Sequence, residues 1–366
     1  MRIKPIPTAA GFSIWKIALA IAAIIILTIL MSRVWPLGPD YYFYYRPVAE
    51  AFLSGQTRLY DSLEAGFYNA PWGLLITIPL TWFSLYMGQA VLVVASLLCL
   101  LAAVRLLQRD HALPVYAIAL ALANLHTFDL LLRGQIDAFI LPGLVLGYMG
   151  IRQKRPLLLS FAFWLLAIKP VNVVLPALLF LYAIRQWPRR DQLLALSLPL
   201  LSVPLAGVFI GFDWPLRYVQ AFAGRPPNDY LSISLWHMAE FLHLPAWPFV
   251  ILAAAALAIF ARTVRRQGFT ERTLYTAIAL NLIFTVYANG NHYILLIPVF
   301  LYVARHSRRW ALLAYAMTWT PLLRAVGGFD LAWVDLLYPI VLLAALRQVN
   351  AAEADAARAA LTEAAD

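Results

Sequence analysis

The fold class this sequence predicts is an all-α polytopic membrane protein. It would be a bundle of about twelve transmembrane helices (ten to thirteen) with two structured extracytoplasmic loops. Three observations carry that expectation. Of the 366 residues, 63% are hydrophobic. Only 13% are charged, about half of the ~25% usual in soluble domains. Apolar runs of spanning length recur along the chain, with the cations gathered in the short loops between them. A net charge of +10 would suggest nucleic acid in a soluble chain. Here topology and anionic headgroups account for it, so membrane lipids are expected as partners and nucleic acid is not. The one cysteine, Cys99, lies inside an apolar run, which leaves no disulfide framework and no thiolate metal site.

The first element is basic at its start (MRIKPIPTAAGFSIWK) and then apolar (IALAIAAIIILTILM, residues 17–31). MSRVWP follows without a small-residue cleavage site, so this reads as an uncleaved span with a cytoplasmic N-terminus. Asp40 is thereby delivered to the far side. Further spans are expected near 70–86, 88–107, 112–128, 136–150, 157–184, 192–210, 246–261, 273–288, 291–304, 310–323 and 331–347, after the first at 14–34. Even parity puts both termini in the cytoplasm. Residues 1–348 form one integral-membrane domain, and the Ala-rich 349–366 is a cytoplasmic tail. The expected setting is the cytoplasmic (inner) membrane, with the protein monomeric.

Most cation clusters agree with that count: 185–190, Arg262 to Arg272, and 305–309 all fall inside. Arg105 with Arg109, and 152–155, fall outside. Either 157–184 is a hairpin of two short helices broken at Lys169–Pro170, or those outer cations meet lipid phosphates.

Two non-cytoplasmic segments are long enough to fold, 35–69 and 211–245. Each mixes Pro, aromatics and charge and reads as short interfacial helices plus loop. The first opens with GPDYYFYYRP (38–47), a carboxylate followed by five aromatic rings in the next five residues. Asp40 has two readings: a helix cap beside an aromatic belt, or a base where lipid meets water. The rings favour the second, because a sugar docks on flat aromatic faces and the cluster is denser than an interface anchor requires.

Lys169 sits in an apolar run where a lone ammonium costs roughly 2.5–3.5 kcal/mol. It either binds phosphate, snorkels to an interface, or pairs with a carboxylate. Arg46, six residues past Asp40, is a second phosphate candidate, with headgroup contact as its alternative. Asp129, Arg133 and Asp137 fall at i, i+4 and i+8, so they could form an acid–base–acid ladder on one helix face unless Gly134 interrupts it. The span count places that turn on the cytoplasmic side, away from Asp40, which favours an internal ion network. His237 and His243 flank Glu240 six residues apart, which does not fit zinc spacing on one helix. No metal site and no cofactor are indicated.

The order of short patches is similar to a known family. Asp-aromatic-x-x-Tyr-Tyr at Asp40 to Tyr45, Ala51-Phe52-Leu53-x-Gly55, Leu59-Tyr60-Asp61, and Tyr68-x-x-Pro71 resemble the first outer loop of glycosyltransferase family eighty-seven. RGQIDAFILPGLVLG (133–147), the Lys169-Pro170 helix and VYANGNHYILLIPVFLY (286–302) resemble three later patches of that family. The second His often beside the first in the last patch is missing here. The resemblance implies a GT-C-like bundle, in the membrane-embedded C superfamily, and a polyprenol-phosphate-mannose-dependent mannosyltransferase or a related protein. It implies Asp40 as the general base, with Lys169, Arg46 and His292 on the donor phosphate. Substrate contacts are implied for Tyr41, Tyr44, Tyr45, Tyr68, Asn69, Gln135, Asn228 and Asn291.

The expected function is transfer of a sugar, mannose favoured, from a polyprenyl-phosphate donor to a lipid or glycan acceptor outside the cytoplasm, with inversion. There is no Gly-rich phosphate loop, and none is needed when the donor carries its own activation. The rival class is a secondary transporter or a flippase of lipid-linked sugar, which would spread charge through mid-membrane depth and show paired halves. No internal repeat is visible. A third reading is a degenerate family member acting as an assembly subunit.

Overall fold

The computed structural model describes residues 14–60, 67–110, 112–224 and 233–349. Among them every regular element is a helix. Five helices are long and apolar enough to cross a membrane: α1 (Ile14–Val34), α3 (Leu85–Asp110), α9 (Arg189–Ile210), α12 (Trp247–Gln267) and α17 (Leu331–Val349). A sixth span exists if α4 (Val115–Leu122) and α5 (Leu125–Arg133), bent by 41° at their junction, are taken as one. The chain is a membrane protein. Its first helix buries none of its residues and turns Ile and Leu side chains outward all round, as a lipid-facing helix does.

The other helices are shorter. α2 (Arg46–Leu53) belongs to the segment after α1. α6 (Leu141–Arg152), α7 (Pro156–Leu166) and α8 (Val174–Ile184) follow α5. α10 (Trp214–Gly224) and α11 (Leu235–Phe241) lie in the expected second loop, which therefore holds short helices on both sides of its undescribed centre. α13 (Glu271–Phe284), α14 (Ile297–His306), α15 (Arg308–Met317) and α16 (Pro321–Gly327) complete the set.

Two expected spans come out differently. Residues 71–82 form no continuous helix. Short 3-10 turns at Pro71–Gly73 and Ile78–Trp82 flank a four-residue α turn, Leu74–Thr77. Pro71 and Pro79 each remove an amide donor, so an apolar run of this length breaks into turns instead of spanning. The run is pinned from its start: Ala70 N–H donates to the Ile168 carbonyl at 2.8 Å, and the Trp72 indole donates to Trp164 O at 3.2 Å.

The second difference is the hairpin at Lys169–Pro170, the first of the two options left open for 157–184. Lys169 is level with Asp137, Nζ to Oδ2 3.1 Å. Gly150 packs on Leu159, ten residues before Lys169, and Gly147 packs on Phe180, eleven residues after it. Both arms therefore run away from Lys169 along α6, and α7 and α8 reverse at the break. The glycines of α6 allow that approach: a Cβ on Gly147 would lie 2.3 Å from the Phe180 ring, and one on Gly143 3.0 Å from Leu165 Cβ. The Pro170–Asn172 turn at the vertex is tied to α13, because Asn281 Oδ1 accepts from Leu175 N–H at 2.9 Å and Asn281 Nδ2 donates to Val171 O at 3.3 Å.

Candidate active site

The segment after α1 reaches the core by docking on the C-terminal end of α5. Asn124 caps the start of that helix by accepting from Thr127 N–H at 3.0 Å. Its end is Gly134, left-handed at φ +70°, where the chain turns sharply out of the helix. The Trp35 indole donates to Leu131 O at 3.2 Å. A Cβ on Gly38 would sit 2.4 Å from Arg133 O, and one on Gly134 would sit 2.7 Å from Tyr41 Cβ. The two backbones meet with no room between them.

That contact decides the conformation of YYFYY. Tyr41–Tyr45 is a π-helical turn, a widened turn common at functional sites. It puts Tyr41 and Tyr45 inward while Tyr42 and Phe43 stay exposed. Asp40 begins the turn with helical φ and ψ and makes no side-chain capping bond, so the cap reading is overturned. Its carboxylate points into the protein, 7% exposed, and accepts from Gln135 Nε2 at 2.6 Å. Burial is the chief influence on its pKa and raises it above the ordinary 3.8. Arg133, the Gln135 hydrogen bond and Lys169 pull it back without cancelling that rise.

Gln135 joins Asp40 to a second group. Its Oε1 accepts from Tyr45 O–H at 2.6 Å and from Lys169 Nζ at 3.3 Å. Lys169 also donates to Asp137, which is fully buried and accepts from Asn291 Nδ2 at 2.8 Å on the same oxygen. His292 Nε2 lies 3.7 Å from the other Asp137 oxygen. The His292 ring accepts the Asn289 N–H through Nδ1 at 2.9 Å, so a neutral ring carries its proton on Nε2, facing Asp137. Asp137 Oδ1, His292 Nε2 and Asn291 Oδ1 are buried and make no hydrogen bond to a described group. Such atoms are rare in native interiors, and three in one cluster make it the candidate site.

The sequence-predicted residues divide into three groups. Asp40, Tyr45, Gln135, Lys169, Asn291 and His292 come together in one connected cluster. Asn69 is buried beside the Tyr45 hydroxyl, and half-buried Tyr44 lies near Tyr287. Tyr68 is half-buried with its ring 6.0 Å from Phe222. Tyr41 is wholly enclosed, with its hydroxyl where a Gly88 Cβ would be. Arg46 pairs with Glu50 at 2.6 Å and reaches the Tyr41 hydroxyl at 3.4 Å. Asn228 lies outside the described residues, as do Asp61 and Glu64.

One reading needs correction. The 129–137 turn is not remote from Asp40; it supplies Gln135, which Asp40 touches. The ladder is real only in its first step, Arg133 to Asp129 at 2.8 Å. Gly134 ends the helix, and Asp137 starts a separate 3-10 turn (Asp137–Phe139) facing Lys169.

Three participants were missed or undervalued in the sequence. Asp137 is the hub, and the signal for it was Lys169, an ammonium in an apolar run that needs a counter-ion. Arg133 acts on the Asp40 charge from the same turn. Gln89 of α3 lays a buried amide against Gly134, and no local sequence signal marks it. Among the described residues no group of three or more His, Cys, Asp or Glu could hold a metal ion.

A buried carboxylate, one amide away from a cation with hydrogen-bonding neighbours, can deprotonate one group while holding an anion beside it. Comparison with known proteins finds no matching curated protein and no matching solved structure. The sequence model of glycosyltransferase family 87 matches residues 67–289, which includes Gln135, Asp137 and Lys169 but neither Asp40 nor His292. With more than half of its length matched, the chain belongs to glycosyltransferase family 87.

Proposed function

We propose that the protein transfers a sugar, mannose favoured, from a polyprenyl-phosphate donor to a hydroxyl of a lipid or glycan acceptor on the extracytoplasmic side of the inner membrane. The observation that carries this is the shared amide of Gln135, Nε2 on Asp40 and Oε1 on Lys169. It sets a base and a cation on opposite ends of one side chain.

In this reading Asp40 accepts the proton of the acceptor hydroxyl as its oxygen attacks the anomeric carbon. The bond from that carbon to the phosphate oxygen breaks, and polyprenyl phosphate leaves with the electron pair. Lys169 and His292, presented by Asp137, meet the charge that gathers on the phosphate. Arg46 is an outer contact for the same phosphate. Tyr44, Tyr45, Tyr68, Asn69, Asn228 and Asn291 frame the sugar and acceptor, while Tyr41 braces the turn that aims Asp40. One base and direct displacement give inversion. The second carboxylate, Asp137, is tied by Lys169 and Asn291 and is not placed as a nucleophile. The chain acts as a monomer without a cofactor.

The same reading sets the topology. Counting α1, α3, the α4–α5 pair, α6, α7, α8, α9, α12, α13, α14, the α15–α16 pair and α17 as passes gives twelve, with both termini cytoplasmic. It differs from the count made on sequence by dropping 70–86 and splitting 157–184. Every cation cluster then falls on the cytoplasmic side, including Arg105 with Arg109 and 152–155, the two that disagreed before.

The test uses purified protein, synthetic polyprenyl-phosphate-mannose and a membrane lipid extract as acceptor, and reads released polyprenyl phosphate. Asp40→Asn should reduce the rate about 10²–10⁴-fold. Lys169→Met should raise the donor KM. An Asp40→Asn protein that turns over at the parent rate removes the mechanism.

A further inference from the structure

Away from the site, α12, α13 and α17 enclose a groove of about 500 Å³. That volume is within the ~300–1,000 Å³ range of ligand sites. Its two ends differ in kind. Thr263, Gln267, Arg272, Thr273 and Arg347 line one end, and among the described residues no carboxylate lines the groove. Leu252, Ala256, Leu280, Ile283 and Phe284 line the rest, which is hydrocarbon. A wall that is basic and polar at one end and aliphatic along its length has the polarity of a single amphiphile.

The basic end lies far from the active site. Asn281 of α13 is bonded to the Lys169 hairpin, and Arg272 is nine residues earlier on the same helix. At about 1.5 Å per residue that is roughly 14 Å farther down the axis. From Arg272 to Phe284 the groove runs roughly 18 Å at that same rise, against about 15 Å for half of a ~30 Å hydrocarbon core. The groove therefore accommodates one leaflet's chain, not a molecule that spans.

We propose that this groove holds an anionic phospholipid from the leaflet opposite the active site. Its phosphate sits between Arg272 and Arg347, and one acyl chain lies along α12 and α13 toward Phe284. Arg272 also donates to the Tyr302 hydroxyl of α14 at 3.3 Å. The contrast is a second groove of about 240 Å³ between α1 and α3, lined by Ala23, Leu27, Val94 and Leu101 with no charged residue. It offers a chain a wall but a headgroup nothing. The proposal is independent of the transferase reading, because none of these residues takes part in it.

The experiment compares phosphatidylglycerol with phosphatidylcholine of the same chains, added to delipidated full-length protein, by native mass spectrometry and by thermal shift. Phosphatidylglycerol should bind about thirtyfold more tightly, since each cation near a lipid surface contributes about fivefold, and only it should raise the Tm strongly. Arg272→Gln with Arg347→Gln should reduce phosphatidylglycerol to the level of phosphatidylcholine, and the paired Lys variants should restore the preference. Ala256→Trp should displace both lipids by filling the groove. Inorganic phosphate alone should not reproduce the shift; if it does, the site takes free anions and the proposal falls. Equal binding of the two lipids by the parent protein, or a preference surviving in the Gln pair, also overturns it. Should the Gln pair fail to fold, Ala256→Trp decides: phosphatidylglycerol bound as in the parent means the chain is elsewhere.

Discussion

Asp40 and Asp137 are carboxylates of one site, joined through Gln135 and Lys169, and the protein treats them in opposite ways. Asp137 lies in the bundle with Lys169 at 3.1 Å and Asn291 at 2.8 Å on one oxygen and His292 at 3.7 Å from the other. Asp40 comes from the segment outside the bundle and is touched by one neutral donor, Gln135. A carboxylate ringed by a cation and donors stays charged and organises its partners. A carboxylate buried with one neutral donor holds its charge less firmly and can take a proton. The difference separates a residue that reacts from one that positions.

Substitution should break the two apart. Asp40→Asn is expected to lose two to four orders of magnitude in rate, the usual worth of a general base, with a Tm at or above the parent's. Asp137→Asn leaves a buried ammonium without its counter-ion, a defect that typically costs about 3–5 kcal/mol. Its signature should be a lowered Tm along with a raised donor KM. If Asp137→Asn keeps its Tm while Asp40→Asn melts early, the assignment of roles is reversed.

Acidity sharpens the same contrast. Burial raises the Asp40 carboxyl above 3.8, so the folded protein binds that proton more tightly than the unfolded chain does. The stability this contributes is full below 3.8 and is lost as pH rises through the folded value. Activity runs the other way, because the base must be ionised: below the folded value the rate should fall about tenfold per pH unit. Rate and Tm should thus move in opposite directions across one window, and Asp40→Asn should flatten that component of both curves. A rate that stays level on acidification through that window counts against Asp40 as the base.

Much of this was legible before any coordinates. α1 was expected at 14–34 and forms at Ile14–Val34, because an unbroken run of Ile, Leu and Ala with no proline leaves a helix as the only way to satisfy its backbone in lipid. Lys169 was suspect as a cation in an apolar run and Asp40 as a carboxylate beside packed aromatic rings, whereas Gln135 and His292 were named through the family resemblance. Residues 70–86 misled because hydropathy counts apolar atoms and is blind to whether Pro71 and Pro79 let the run stay helical. That single error shifted the expected side of each loop from there to the 157–184 hairpin, which is why Gln135 was named for the site while its own turn was placed away from it. Asp137 was hidden for another reason. Its role depends on contacts with residues 32 and 154 positions away, and no local pattern carries such pairings.

The approach of the Asp40 segment to α5 can be tested with two glycines. Gly134 and Gly55 both have positive φ, +70° and +90°. An alanine at Gly55 meets nothing within 4 Å, whereas one at Gly134 would lie 2.7 Å from Tyr41 Cβ and from Gln89 Oε1. Each substitution costs about 1–3 kcal/mol of backbone strain. Only Gly134→Ala should also push Gln135 away from Asp40, so its kcat should fall about tenfold beyond any change in Gly55→Ala. Equal kcat values would mean that Asp40 does not depend on this contact.

The smallest effect is expected at Arg46. Its guanidinium is held by Glu50 across one helical turn, at an exposed edge where such pairs contribute roughly 0.3–0.5 kcal/mol. Among the described residues it reaches only the Tyr41 hydroxyl beyond that pair, and the cations that act on the Asp40 charge are Arg133 and Lys169. Arg46→Gln should therefore leave the Tm nearly unchanged and raise the donor KM by about threefold, the scale of one surface contact. Lys169→Met, in the same assay, should change KM far more. A hundredfold rise for Arg46→Gln would reverse that order. The donor phosphate would then sit outside the aromatic turn, and the Asp137 hub would serve the fold more than the reaction.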